Sequence, residues 1–185
     1  MFVDQFIDRT KHRPSTFFGD GIVVHVPMAD PVSPPLREAL ARAAGDIPHQ
    51  NGGTYLCIEG PQFSTRAESL LYRQWGVDVI GMTNMPEARL AREAEIAYAT
   101  IALATDYDCW HEEEESVTVE AVLAILKANV ERAKAVIDAY VKAPREPRCE
   151  MSANAARSNM MTPVDRIPAD RFRALEPILS PFASR

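Results

Sequence analysis

No stretch of this 185-residue chain reaches the roughly 18 consecutive apolar residues of a membrane-spanning helix, so no membrane partner is expected. Positive charge is also short: the formal net charge is −6, and no Lys/Arg block is dense enough to track a phosphate backbone. Nucleic acid is therefore not an expected partner. The opening Met1-Phe2-Val3-Asp4-Gln5 lacks the basic flank and apolar segment of a signal peptide. Cysteine is scarce, and Cys57, Cys109 and Cys149 form an odd, scattered set without metal-ligand spacing. They read as reduced thiols packed as small hydrophobes in a cytoplasmic protein. Internal repeats and low-complexity arrays are missing too. What is present is 46% apolar content, ample for the core of one domain.

Strand and helix signals alternate along most of the chain. Gly21 to Pro27 reads as a strand, followed by a proline-rich loop and a helix near Pro35 to Ala44. Asn51-Gly52-Gly53 is a turn, and Thr54 to Ile58 is the next strand. Thr65 and Glu68 have the S/T-x-x-E spacing of a capping box, which predicts a helix from there to Gly76. Val77 to Met82 is short and β-branched, as a buried parallel strand would be. Pro86 fits the first turn of a helix through about Ala94. Ala97 to Ala104 is a further apolar strand run. Val119, Val122, Leu123, Leu126, Val130, Ala133 and Ile137 then keep helical spacing, with Thr118 as N-cap. The alternation indicates an α/β domain over residues 1–143. Beyond it, residues 144–185 carry Pro144, Pro147, Pro163, Pro168, Pro177 and Pro181 with little periodicity. This segment reads as a mobile or partner-dependent tail with one short helix near Asp170 to Leu175.

Three strand ends hold the residues with chemical potential. Ile58 to Ser69 runs from apolar residues through Gly60-Pro61 to Phe63 and then a helix start. Phe63 thus stands at a strand-to-helix crossover, where α/β proteins bind small ligands. Taken alone it reads more readily as a buried turn aromatic. Met82-Thr83 closes the second strand and Ala104-Thr105-Asp106-Tyr107-Asp108 the third. If the chain stays extended there, Asp106 and Asp108 share a face, because i and i+2 do. An Asp-x-Asp at a loop end is also a common solvated turn.

These segments, together with Val3 to Thr10, His25-Val26-Pro27-Met28-Ala29 and Gly81 to Glu87, resemble the S-methyl-5'-thioadenosine phosphorylases of the trimeric purine nucleoside phosphorylase family. The resemblance covers roughly residues 1 to 141. It implies a phosphorylase/hydrolase-like fold, a central mixed β-sheet flanked by helices, with the family's first strands missing. It further implies a homotrimer that converts methylthioadenosine and inorganic phosphate to adenine and 5-methylthioribose 1-phosphate. No metal or organic cofactor is implied, since phosphate is a co-substrate.

In such a reaction the sugar gains oxocarbenium character while the leaving base gathers negative charge, much as in glycoside hydrolysis. By resemblance, Asp106 is the general acid at the five-ring nitrogen and Asp108 holds the exocyclic 6-amino group. An acceptor there disfavours 6-oxo purines, which would present another lone pair. Phe63 would stack on the base, Met82 would lie under the ribose, and Thr83 would bind phosphate. Val119, Val122 and Leu123 match the helix that lines an apolar 5'-methylthio pocket, although periodicity alone makes them a core face. His25 matches a residue that reaches the next subunit's site.

The family's Gly-rich phosphate loop, Arg-His pair and Thr-Ala segment find no match here. Three readings follow: a phosphorylase whose activity belongs to a longer molecule, a non-catalytic nucleoside-binding or trimer-forming remnant, and a sibling enzyme for 6-oxo nucleosides, which Asp106 and Asp108 disfavour.

Overall fold

In the computed structural model, which describes residues 1–111, 119–145 and 148–183, the centre is a three-stranded sheet in the order β1-β2-β3. Strand β1 (Gln5–Asp8) pairs parallel with β2 (Thr54–Cys57), and β2 pairs parallel with β3 (Val79–Gly81). Parallel neighbours require crossovers, and helices α1 (Pro34–Ala44) and α2 (Arg66–Gln74) occupy them. Helices α3 (Glu87–Glu93) and α4 (Val119–Lys142) follow, and α4 packs along α1. The α/β class and the order of these elements follow the sequence pattern. Strand β1 has no counterpart in that pattern, because Gln5 to Asp8 shows no clean alternation of apolar and polar residues.

Burial explains the middle strand. Tyr55, Leu56 and Cys57 are all buried, since β2 is covered on both faces and bonded on both edges. One core cluster joins Val3, Tyr55, Cys57, Met85 and Ala88, and a second joins Phe2, Leu40, Ala44 and Val136 between α1 and α4. Helix α2 starts where its capping box predicts. Thr65 Oγ1 accepts from the Glu68 amide at 3.2 Å, and Glu68 Oε2 accepts from the Thr65 amide at 2.8 Å. Gly76, with φ of 74°, turns the chain out of the helix.

Three expectations are corrected. Gly21 to Pro27 is extended but builds no ladder; its Val24 makes one isolated antiparallel bridge to Met160. Ala97 to Ala104 is not a strand either. Ala102 exchanges hydrogen bonds with Met1 alone, and one exchanged pair does not make a ladder. Residues 144–185 are not a loose tail over their described part. There α5 (Glu150–Ala153), α6 (Ala169–Ala174) and α7 (Glu176–Ala183) fold back, and Ala156, Ile167 and Leu179 bury against Phe18 and Ile22. Pro144, Pro163, Pro168 and Pro177 sit between or at the starts of these short helices and Pro181 lies inside α7, which hides the periodicity. Among the described residues, no helix is long and apolar enough to cross a membrane.

Candidate active site

The loops leaving β2 and β3 meet the acidic segment at one end of the sheet. After β2 the chain passes Gly60, whose φ of 71° is a conformation few other residues adopt. A Cβ at that position would lie 2.7 Å from the Met82 sulfur, so the close approach of the two loops depends on glycine. Beyond Gly60, Phe63 stands 86% exposed, which corrects the reading of a buried turn aromatic. An apolar ring held out in water at a strand exit has a free π-face.

Thr83 is positioned from beneath. The buried Tyr55 hydroxyl lies 3.1 Å from Thr83 Oγ1 and accepts from the Thr83 amide at 3.3 Å. Gly81 leaves the space that the Tyr55 ring occupies. Arg13 ties the two strand exits together. Its guanidinium donates to the Met85 carbonyl at 2.6 Å and to the Glu59 carbonyl at 2.9 Å. Hydrogen bonds from the Lys11 and His12 amides, with the Arg13 charge behind them, hold the Glu59 carboxyl below the usual carboxylate range.

The acidic segment turns instead of remaining extended. A bend falls at Asp106, and the His111 amide donates to the Asp108 carbonyl, so the shared-face geometry does not arise. Asp106 is exposed, and one of its oxygens accepts from Thr105 Oγ1 at 3.3 Å. Asp108 is half-buried. Ser69 Oγ, fully buried on α2, donates to Asp108 Oδ2 at 2.6 Å, and the Cys109 amide donates to Oδ1 at 2.8 Å. The Cys109 thiol also faces the Ser64 carbonyl, next to Phe63, at 3.8 Å. The Asn129 amide of α4 donates to the Ala104 carbonyl at 2.7 Å. Beside the acids, Tyr107 stacks on His111 with centroids 4.8 Å apart, and the Arg73 guanidinium lies 3.9 Å over Trp110.

The structure thus gathers Phe63, Met82, Thr83, Asp106 and Asp108 onto neighbouring loops. Leu123 is exposed on the first turns of α4, while the side chains of Val119 and Val122 lie outside the described residues, as does Thr118. His25 is exposed on the segment that pairs with residues 159–162 and, among the described residues, makes no hydrogen bond with the other candidates. Sequence reasoning missed Ser69, Tyr55 and Arg13. Ser69 carried a signal: four residues after the Thr65 cap, it shares the cap's face of α2. Nothing in the pattern marked Tyr55 or Arg13.

Residues 1–142 match the family described as the phosphorylase superfamily. The S-methyl-5'-thioadenosine phosphorylase of Thermosynechococcus vestitus is 53% identical over 97% of this chain, including the segment after residue 142. A crystal structure of methylthioadenosine phosphorylase from an antarctic soil metagenomic library superposes with a TM-score of 0.86 at 47% identity, over 96% of this chain. A variant of adenosine/methylthioadenosine phosphorylase from Schistosoma mansoni, in complex with adenine, gives a TM-score of 0.77 at 32% identity over 86%. The chain spans 64% of the length of the first two and 66% of the third. By the match over residues 1–142 and the α/β architecture around it, this chain belongs to the phosphorylase superfamily.

Proposed function

We propose that this chain forms the base-facing and ribose-facing part of an S-methyl-5'-thioadenosine phosphorylase, which splits its nucleoside with phosphate into adenine and 5-methylthioribose 1-phosphate. The observation that carries this reading is the grip on Asp108. A carboxylate held by Ser69 Oγ and the Cys109 amide is a fixed acceptor beside an exposed aromatic. Fixed acceptors suit a 6-amino purine, whose exocyclic amine donates.

In this reading Phe63 stacks on the base, and Asp106 protonates the five-ring nitrogen as the C–N bond breaks. Proton donation of this kind contributes about 10²–10⁴-fold. Met82 supports the ribose, Thr83 gives its hydroxyl to phosphate, and Val119, Val122 and Leu123 face the methylthio group. Phosphate needs several charge-assisted donors, and Thr83 alone supplies few. The remaining donors belong to sequence that the relatives have and that this chain does not span. Three free thiols support a reducing, cytoplasmic setting.

Adenine release from methylthioadenosine, measured with and without phosphate, is the test. Little turnover is expected from the chain alone. Phosphate-dependent turnover is expected once it is joined to the segment that completes the Thermosynechococcus vestitus relative. A completed protein that binds adenine but never releases it from the nucleoside would favour the non-catalytic reading, and one that prefers 6-oxo nucleosides would favour the sibling enzyme.

A further inference from the structure

A cavity of about 670 Å³ lies away from the proposed site, and none of Phe63, Met82, Thr83, Asp106 or Asp108 lines it. It opens between the start of α1, the turn at Glu95 and Ile96, the end of α4, and residues 143–145 and 148–149 ahead of α5. Its size falls in the range of small-molecule sites.

Cys149 forms part of the wall. Its thiol is free and the residue is only 8% exposed, so the cavity is its way out. Ser152 Oγ donates to the Cys149 sulfur at 3.5 Å. Ser33 lines the same wall, wholly buried, with a hydroxyl that has no hydrogen-bond partner within ordinary reach. The reason is local. Ser33 is the N-cap of α1, where a serine normally accepts from the amides two or three residues on. Pro35, two residues on, has no N–H, and Ser33 makes no side-chain cap with the Leu36 amide either. The hydroxyl oxygen is itself almost wholly shielded and is left, at longer range, to the Cys149 sulfur.

The surrounding charges favour an anion on that sulfur. Burial works against the Cys149 thiolate, yet the Ser33 and Ser152 hydroxyls, the Ser152 amide and the Arg92 guanidinium together hold the thiol below its ordinary value. Arg92 is fixed by the Pro27 and Asp30 carbonyls at 3.0 and 2.6 Å. Arg145, Arg148 and Tyr140 also line the cavity. Glu95, its acidic member, is matched by Arg157, whose amide donates to it at 2.9 Å and whose guanidinium lies 3.7 Å away. Cys57 is the contrast, for burial pushes its thiol up.

We propose that Cys149 is a modification site, a thiolate opening on this cavity that is alkylated by small α,β-unsaturated carbonyl compounds. The sulfur lone pair forms the S–C bond at the β-carbon, and the C=C π pair moves to the carbonyl oxygen as an enolate. Water then returns a proton to the α-carbon, leaving a neutral thioether.

Acrylamide is the probe, applied to the full chain across a pH series, with Cys57, Cys109 and Cys149 followed separately by peptide mass spectrometry. Cys149 is expected to label in the folded chain, with a rate that levels off at lower pH than that of a reference peptide thiol. Cys57 should label only in urea. Ser33→Ala removes an unsatisfied hydroxyl and should fold normally. It and Ser152→Ala should each slow Cys149 labelling near neutral pH by about two- to tenfold, the scale of one hydrogen bond, with the alkaline rate unchanged. Labelling of Cys149 only in denaturant, a pH profile that tracks the reference peptide, or rates untouched by both substitutions would overturn the proposal.

Discussion

At Asp108 a single substitution separates base recognition from simple loop support. In a completed, active protein, Asp106→Asn is expected to lower turnover by about 10²–10⁴-fold with binding less affected, because the proton matters most at the transition state. Asp108→Asn should instead narrow the preference for methylthioadenosine over methylthioinosine, since an amide can turn a donor toward a carbonyl oxygen. It will also weaken the contact with Ser69 Oγ, so a stability loss of about 1 kcal/mol accompanies the change. Kinetics on both nucleosides, beside melting curves, divide the two effects; unchanged turnover and unchanged substrate ratio in both variants would remove the pair from the site. Gly60 gives a second residue-scale test. Gly60→Ala forces an L side chain to φ of 71° and against the Met82 sulfur, at a cost of about 1–2 kcal/mol for the backbone alone. Met82→Ala should recover part of the loss, and strict additivity of the two changes would show that the contact does not govern the loop. Which residues cluster was legible in the sequence, because Phe63 and Met82 follow the apolar runs of β2 and β3 and Asp108 follows a further apolar run. What holds them was not: Tyr55, Arg13 and Ser69 act through long-range hydrogen bonds that leave no local pattern.

Helix α2 is the element on which local sequence and structure agree most closely, and its cap makes a pH prediction. The Thr65 amide, then the Thr65 hydroxyl, hold the Glu68 carboxyl below its usual value. A folded-state value below the unfolded one means that the stabilisation is complete above the unfolded value, about 4.3, and fades as pH falls through the folded value. The melting difference between the protein and Glu68→Gln should therefore exist near neutrality and close below about pH 4. Persistence of the gap in acid would rule the ionised cap out. Thr65→Ala should cost about 1 kcal/mol, or about 2–4 °C in melting temperature for a chain of this size. The helices were readable because caps and 3.6-residue spacing are local. Ala97 to Ala104 misled because an apolar run states burial, not pairing. Residues 144–185 misled because their short helices draw stability from Phe18 and Ile22, far away in the chain.

Seen as a whole, the molecule leaves an apolar surface that its own described residues do not cover. Leu123, Ile125, Leu126, Ile137 and Val141 are exposed along α4, and Leu70, Leu71 and Trp75 along α2. Apolar surface gathered on two helices marks an interface more often than a solvated wall. With the family's assembly as guide, the completed protein is expected to be a homotrimer by light scattering at micromolar concentration, and a stable monomer would refute this. The exposure of His25 gives the assembly a functional test. If His25 serves a neighbour's site, its loss and the loss of Asp106 fall on different subunits. Protomers carrying His25→Ala and protomers carrying Asp106→Asn, each weak alone, should then regain turnover when unfolded together and reassembled. In mixed trimers, some sites pair an intact Asp106 from one chain with an intact His25 from the next. Should His25 act within its own subunit, every mixed site would still lack one of the two groups, and the mixture would be no faster than the average of its parts.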